Sequence, residues 1–327
     1  MVSAVNPKKP PNPEMELAGR GGPQLISRPL GGHEDGNMAR GATLTVRVWA
    51  HCLGMTAATA GILLGTLLPF LPGRYDSLAV PVSAMFQIFG TVGLLLVPVG
   101  ALWVASGYWS RLAGKQYGIA IAALIASSVV WLIVSLGALM SSLLLGLGVI
   151  GPWIYVVSRV LPRLKLLKSA TPRPTSAAAF YLLIVPVAVA LLQMAVASSA
   201  VEFSRNLAIT NSAELIREIE EYRNANGHYP SSLLAEHQDY EPSVIGIKQY
   251  YYEPSGDAYN LSFEQPTFLL ANPGTREFVV YNKRDEQTIV AHDSDILRWT
   301  PEELQQRRGW YAVHDAPRAH WKYFWLD

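Results

Sequence analysis

The sequence predicts a membrane bundle of five helices followed by an α+β domain in which a long helix packs on a small antiparallel sheet. Three observations point there. Half of the 327 residues are hydrophobic and only 16% are charged, against about 25% charged in an average soluble domain. Four stretches, residues 48–73, 77–110, 116–158 and 174–201, contain no Asp, Glu, Lys or Arg. Beyond residue 201 the pattern changes to one amphipathic helix and a series of short β-branched and aromatic runs.

Each uncharged stretch is long enough to cross a bilayer, which takes about 20 apolar residues at roughly 1.5 Å each. The third, 43 residues long, would measure about 65 Å as a single helix, so it must cross twice. A turn near Gly137–Ser142 divides it, Gly and Ser being the least apolar residues there. The spans then fall near 48–71, 80–105, 117–136, 141–159 and 178–200.

Orientation follows from the basic residues of the short loops, which stay on the cytoplasmic side during insertion. Arg40, Arg47, Arg111, Lys115, Arg159, Arg163, Lys165, Lys168 and Arg173 all fall on one side, and only Arg74 on the other. This puts the N-terminus in the cytoplasm and residues 201–327 outside it, in the periplasm if the membrane is a bacterial inner membrane. Residues 1–42, rich in Pro, Gly and Asn, read as a disordered cytoplasmic tail, with residues 43–200 as the transmembrane domain. No apolar run precedes residue 42, so no cleaved signal peptide is expected.

Charge divides along the same border. Residues 1–201 carry 14 basic and 5 acidic side chains, and residues 202–327 carry 12 basic and 20 acidic ones. The basic excess sits between apolar segments and never forms a polar domain, which excludes a basic nucleic-acid binder. The single cysteine, Cys52, excludes an intrachain disulfide and a cysteine zinc cluster.

Few residues of the spans can carry chemistry. Transporters of ions and protons keep ionisable residues in the bundle, and the span cores have none. His51, Cys52, Gln87 and Gln193 are the most polar candidates apart from Ser and Thr. His51 is either a proton relay or hydrogen-bonded to a neighbouring helix. Gly61 and Gly65 in GILLG have the small-xxx-small spacing of close helix packing. Gly146, Gly148 and Gly151 match the dinucleotide-loop pattern, but that loop works only between a strand and a helix, and these lie within an apolar span.

After the last span, Leu215, Ile216, Ile219 and Tyr222 recur at helical spacing among charged residues, the mark of an amphipathic helix. No Pro or Gly occurs between Val187 and Asn226, so this helix can continue the span, with Gly227 as its stop and Pro230 barring resumption. QYYYEP, DAYNLSF, REFVVYN and QTIVAH read as strands, separated by PSGD, NPG and KRDE turns.

AELIREIEEYRNANGHYPSSL, YYYEPSGDAYNLSF, REFVVYN and HDSDILRW together resemble the soluble domain of the type IV pilin and type II secretion pseudopilin family, over roughly Phe180 to Trp299. The pattern Tyr222, Gly227, Tyr229, Pro230 and Leu233 carries most of the resemblance, supported by Gly256, Asp257 and Tyr259. It implies a helix emerging from the membrane and packed on an antiparallel sheet, and partners among secretion, pilus or other envelope proteins. The family's leader ending in Gly, then Phe and shortly after Glu, has no counterpart in AAAFYLLIVPV, so the resemblance implies the fold and leaves polymerisation open. It further implies a calcium site whose matching positions end at Asp293 and Asp295, paired carboxylates suited to a hard cation; otherwise the two form a turn or cap.

His292, His314 and His320, with Asp293 and Asp315 adjacent, are the residues a zinc or acid–base site would use, but their spacing matches no metal motif. No Gly-x-Ser-x-Gly elbow occurs. The C-terminal aromatics, among them Trp310, Trp321, Tyr323 and Trp325, form either a packed edge strand or a surface for docking partners or lipid headgroups. The expectation is a non-enzymatic membrane protein with a binding, scaffold or assembly role and no cofactor beyond that calcium ion. The alternative is a small-solute transporter or channel subunit whose external domain binds a partner.

Overall fold

The computed structural model describes residues 34–109, 115–167, 176–233, 241–269, 275–287 and 313–326. Contacts divide the chain into a short unit, Met1–Trp49, and a larger one, Ala50–Asp327. Helix α1 (Glu34–Leu67) begins within the first, so residues 34–42, expected to be irregular, are helical. Once a helix is nucleated each further residue adds a hydrogen bond at little cost, and propagation from the apolar span accounts for the extra turns.

The larger unit continues with α2 (Ala79–Val92), a 3₁₀ turn at Gly93–Leu96, α3 (Val97–Tyr108), α4 (Gln116–Ser141), α5 (Leu143–Leu167), α6 (Ala177–Asn211) and α7 (Ala213–Asn226). Five segments among the described residues are long and apolar enough to cross a membrane: Val46–Phe70, Ala79–Tyr108, Gln116–Leu139, Leu143–Leu164 and one within Ala177–Asn226. Large apolar side chains remain exposed along them, Leu144 at 81% and Met194 at 75%, the surface of a multi-pass membrane protein and not of a water-soluble bundle.

One expected border moves, and the continuity allowed past residue 201 is realised. The turn between the third and fourth spans is confined to Ser142, which alone is extended (φ −162°, ψ 134°), and Gly137 stays helical. Gly137 serves packing instead, since a Cβ there would sit 3.1 Å from Ile88 Cδ1 of α2. No break occurs at Val201: α6 runs uninterrupted to Asn211, and Ser212 joins it to α7 with helical angles. The change at residue 201 is therefore one of composition and not of backbone. Gly227, at φ 76°, ends α7 as expected.

Glycines set the helix spacing in α1 and α3. A Cβ on Gly65 would strike the Phe86 ring at 2.2 Å, whereas Gly61 meets nothing, so only half of GILLG is a packing site. Gly100 lets α3 lie against the α6 backbone near Ala179 and Leu182. Gly146, Gly148 and Gly151 lie inside α5, away from any strand-to-helix turn.

The sheet has the order β1-β2-β3-β5-β4, antiparallel throughout, formed by β1 (Tyr251–Ser255), β2 (Ala258–Gln265), β3 (Arg276–Tyr281), β4 (His314–Asp315) and β5 (Trp321–Leu326). Gly256, at φ 56°, takes the first loop position of the tight β1–β2 hairpin. Gln287 lies outside any strand, and the rest of QTIVAH falls outside the described residues. One sheet face receives the helix: Ile209, Leu215 and Ile219 pack with Tyr259, Leu261, Phe263, Val279 and Trp321.

The sheet domain is tied to the bundle through the loop that follows α1. Ile245 N donates to Leu71 O, Gly73 N to Ser243 O and Asp76 N to Ile245 O, all at 3.0 Å, and Gly246 N donates to Pro69 O at 2.9 Å. Pro72 and Val244 form an antiparallel bridge, and Phe70 stacks on Phe268 with centroids 5.1 Å apart.

Candidate functional site

A cavity of about 570 Å³ with charged, aromatic and apolar walls lies where α6 leaves its apolar course and meets the end of the sheet. Its wall on α6 is one helical face, Met194, Ala197, Ser198, Val201, Glu202 and Arg205. Its sheet wall follows from register. Glu277 is opposite both Gln265 and Trp325, and Val279 is opposite Tyr323, so Glu277, Tyr323 and Trp325 share the face that receives the helix.

Arg205 and Glu277 meet there as a buried ion pair. Arg205 Nε donates to Glu277 Oε1 at 2.8 Å and Nη2 approaches the same oxygen at 2.7 Å, while Trp325 Nε1 donates to Oε2 at 3.1 Å. The side chains are 9% and 2% exposed. Burial pushes the Glu277 carboxyl above its ordinary range, and Arg205 and Trp325 pull it partway back. The guanidinium also lies 3.8 Å above the Tyr323 ring, and His314 stacks on Tyr323 with centroids 5.1 Å apart.

Of the C-terminal aromatics, Trp321 is buried, and Tyr323 and Trp325 are half-buried on the cavity wall. Trp321 is 4% exposed in the head core, Tyr323 lies beneath Arg205, and Trp325 holds Glu277. The strand carrying them pairs along its length with β3 and at Lys322 and Tyr323 with β4, so it is not an open edge there. A strand laid between two others must turn its large apolar faces inward. Trp310, Asp293, Asp295 and His292 lie outside the described residues. His320, at φ 68°, faces Asp285 at 3.2 Å. Among the described residues no group of three or more His, Cys, Asp or Glu could hold a metal.

Arg205 and Glu277 escaped the sequence reading, although a signal existed. Arg205 is in phase with Ala208, Ser212, Leu215 and Ile219 on the buried stripe, and Glu277 is in phase with Val279 and Tyr281. One charge in core phase on each of two packed elements is the mark of a buried ion pair, because neither could be tolerated alone.

A second polar cluster lies in the bundle. Ser83 Oγ donates to the Thr66 carbonyl, and Gln87 Nε2 donates to Ser83 Oγ at 3.0 Å. Gln193 Nε2 donates to Thr66 Oγ1 at 2.8 Å and to Phe86 O at 3.1 Å. Gly90 makes the room, since a Cβ there would fall 2.0 Å from Gln193 Oε1. Gln87 Oε1 in turn accepts from Leu269 N at 2.6 Å, bonding the bundle to the β2–β3 connection.

His51 lines a mainly apolar cavity of about 520 Å³ with Trp103, Trp153 and Tyr181. Tyr181 Oη donates to the His51 carbonyl at 3.2 Å and the two rings meet edge-on. The described lining contains no acid or base besides His51 and Tyr181 to continue a proton path. Comparison with protein-family models, with curated proteins and with solved structures gives no match to this chain.

Proposed function

We propose that the protein is a non-enzymatic component of a bacterial inner membrane that holds a pilin-like domain in the periplasm as a fixed platform for binding or assembling other envelope proteins. The backbone pairing of Leu71, Gly73 and Asp76 with Ser243 and Ile245 carries the reading. A filament subunit must leave the bilayer, and a head hydrogen-bonded to a loop of its own bundle suits a stationary platform instead. The uninterrupted α6 adds to this, because it transmits the position of the bundle to the head without a joint until Ser212. The exposed face of α7, with Glu214, Arg217 and Glu221, offers a charged surface to a partner.

The test combines topology with contact. A reporter active only outside the cytoplasm, fused after Asp327, should be active, and photocrosslinkers at Glu214 and Glu221 should yield discrete products with envelope proteins. A stably made but inactive fusion, or a head that crosslinks to nothing from either position, overturns the proposal.

A further inference from the structure

We propose that the cavity beside Arg205 binds the phosphoethanolamine headgroup of a membrane lipid. The inference rests on the multi-pass reading of the chain and not on the identity of any protein partner.

The wall on α6 changes character along its length. Met194, 75% exposed, and Ala197 lie in the apolar course of the helix, whereas Glu202 is the first charged residue after Arg173. Such a surface suits an amphiphile arriving sideways from the bilayer, chain against Met194 and Ala197, polar end against Glu202 and Arg205.

The charges select the headgroup. Arg205 commits Nε and Nη2 to Glu277, leaving Nη1 of this nine-tenths buried side chain without a partner among the described residues. Nη1 suits a phosphate oxygen. Glu202 and Asp315, both exposed on the cavity wall, have no ion-pair partner among the described residues. With Glu277 they leave an excess of two negative charges over Arg205, which repels an anionic headgroup and attracts an ammonium. The Tyr323 ring is already engaged, by the Arg205 guanidinium at 3.8 Å and by the stacked His314 ring. An aromatic cage for a quaternary ammonium is thereby closed, and the carboxylates favour a primary ammonium with its three N–H donors.

Native mass spectrometry of the full chain in mild detergent tests this, with phosphatidylethanolamine, phosphatidylglycerol and phosphatidylcholine supplied at equal concentration. Phosphatidylethanolamine adducts should dominate, and Glu202→Gln with Asp315→Asn should lower that preference about fivefold or more, the scale of a lost ion pair. Both substitutions are at exposed positions, and an unchanged Tm would show that the fold persists. Water-soluble glycerophosphoethanolamine, lacking chains, should not displace the lipid; displacement would assign the site to a free amine and overturn the lipid as occupant. Equal retention of the three lipids by the unmodified chain, or an unchanged preference in the double variant, would also overturn the proposal.

Discussion

Two buried polar clusters stand on either side of the point where the chain leaves its apolar course, and they are built from different chemistry. On the head side Arg205 and Glu277 are both charged and are braced by Trp325 and Tyr323. On the bundle side Thr66, Ser83, Gln87 and Gln193 are all neutral and satisfy one another. A charge costs a few kcal/mol or more at membrane depth, whereas an amide at that depth needs only its hydrogen bonds. The difference teaches that each cluster is matched to its medium: ions fasten the helix to the sheet, and amides fasten helix to helix.

The largest contrast between the regions should appear in alkali. Burial raises the Tyr250 and Tyr259 hydroxyls well above their ordinary pKa of 10.0. A raised folded pKa means that stability is fully present below the unfolded value and is lost as pH climbs from about 10 toward the folded value. Each hydroxyl then removes about 1.4 kcal/mol per pH unit, so together they exhaust a typical domain stability within a few units. Tyrosinate absorbance of the head should rise in one cooperative step coincident with loss of near-ultraviolet circular dichroism, while the helical far-ultraviolet signal of the bundle persists. A gradual, non-cooperative titration would mean that these tyrosines are open to water.

The ion pair should give the next largest effect. Glu277→Ala leaves a cation buried without its partner and should cost about 3–5 kcal/mol in guanidinium unfolding of the head, followed by tryptophan fluorescence. Arg205→Met combined with Glu277→Leu should recover most of that loss, because nothing charged remains to be desolvated. A double variant as unstable as Glu277→Ala would show that the two residues are not coupled.

How much of this was legible in the sequence depends on the range of the force concerned. Span number, the α7 stripe, the Gly227 stop and three of the strands are local patterns, readable from charge gaps and periodicity. The passage of α6 through residue 201 was also open to a sequence free of Pro and Gly from Val187 to Asn226, whereas the joint at Ser142 is decided by neighbours, Gly137 being held helical against Ile88. The aromatic alternation of Trp321, Tyr323 and Trp325 was visible, but not which side faced the helix, because strand order fixes that and β3, which pairs along the length of this strand, comes from a distant segment, Arg276–Tyr281. The pairing of Ser243–Gly246 with the loop after α1 left no trace in composition, since backbone hydrogen bonds demand no particular side chain beyond the close approach of Gly246 to Pro69, whose carbonyl lies 2.6 Å from where a Cβ would be.

The smallest expected effect is also the sharpest test of the comparison. If amides in the bundle act only as helix-to-helix fasteners, removing one should cost little, because in a membrane the separated helices find other partners for their polar groups. Gln193→Leu loses the bonds to Thr66 and Phe86 and should lower stability by about 0.6 kcal/mol, and by no more than about 1.7. Gln87→Leu loses the bond to Ser83 and, in addition, the acceptor for Leu269 N, whose amide is left part-buried beside the head, where such a loss costs about 1–3 kcal/mol. Thermal unfolding in lipid nanodiscs should therefore rank Gln87→Leu as the more damaging, with the excess seen in the head's tryptophan signal and not in helix content. Equal losses would show that Gln87 serves the bundle alone, and that the link between the two regions is carried by α6 and the loop after α1 without it.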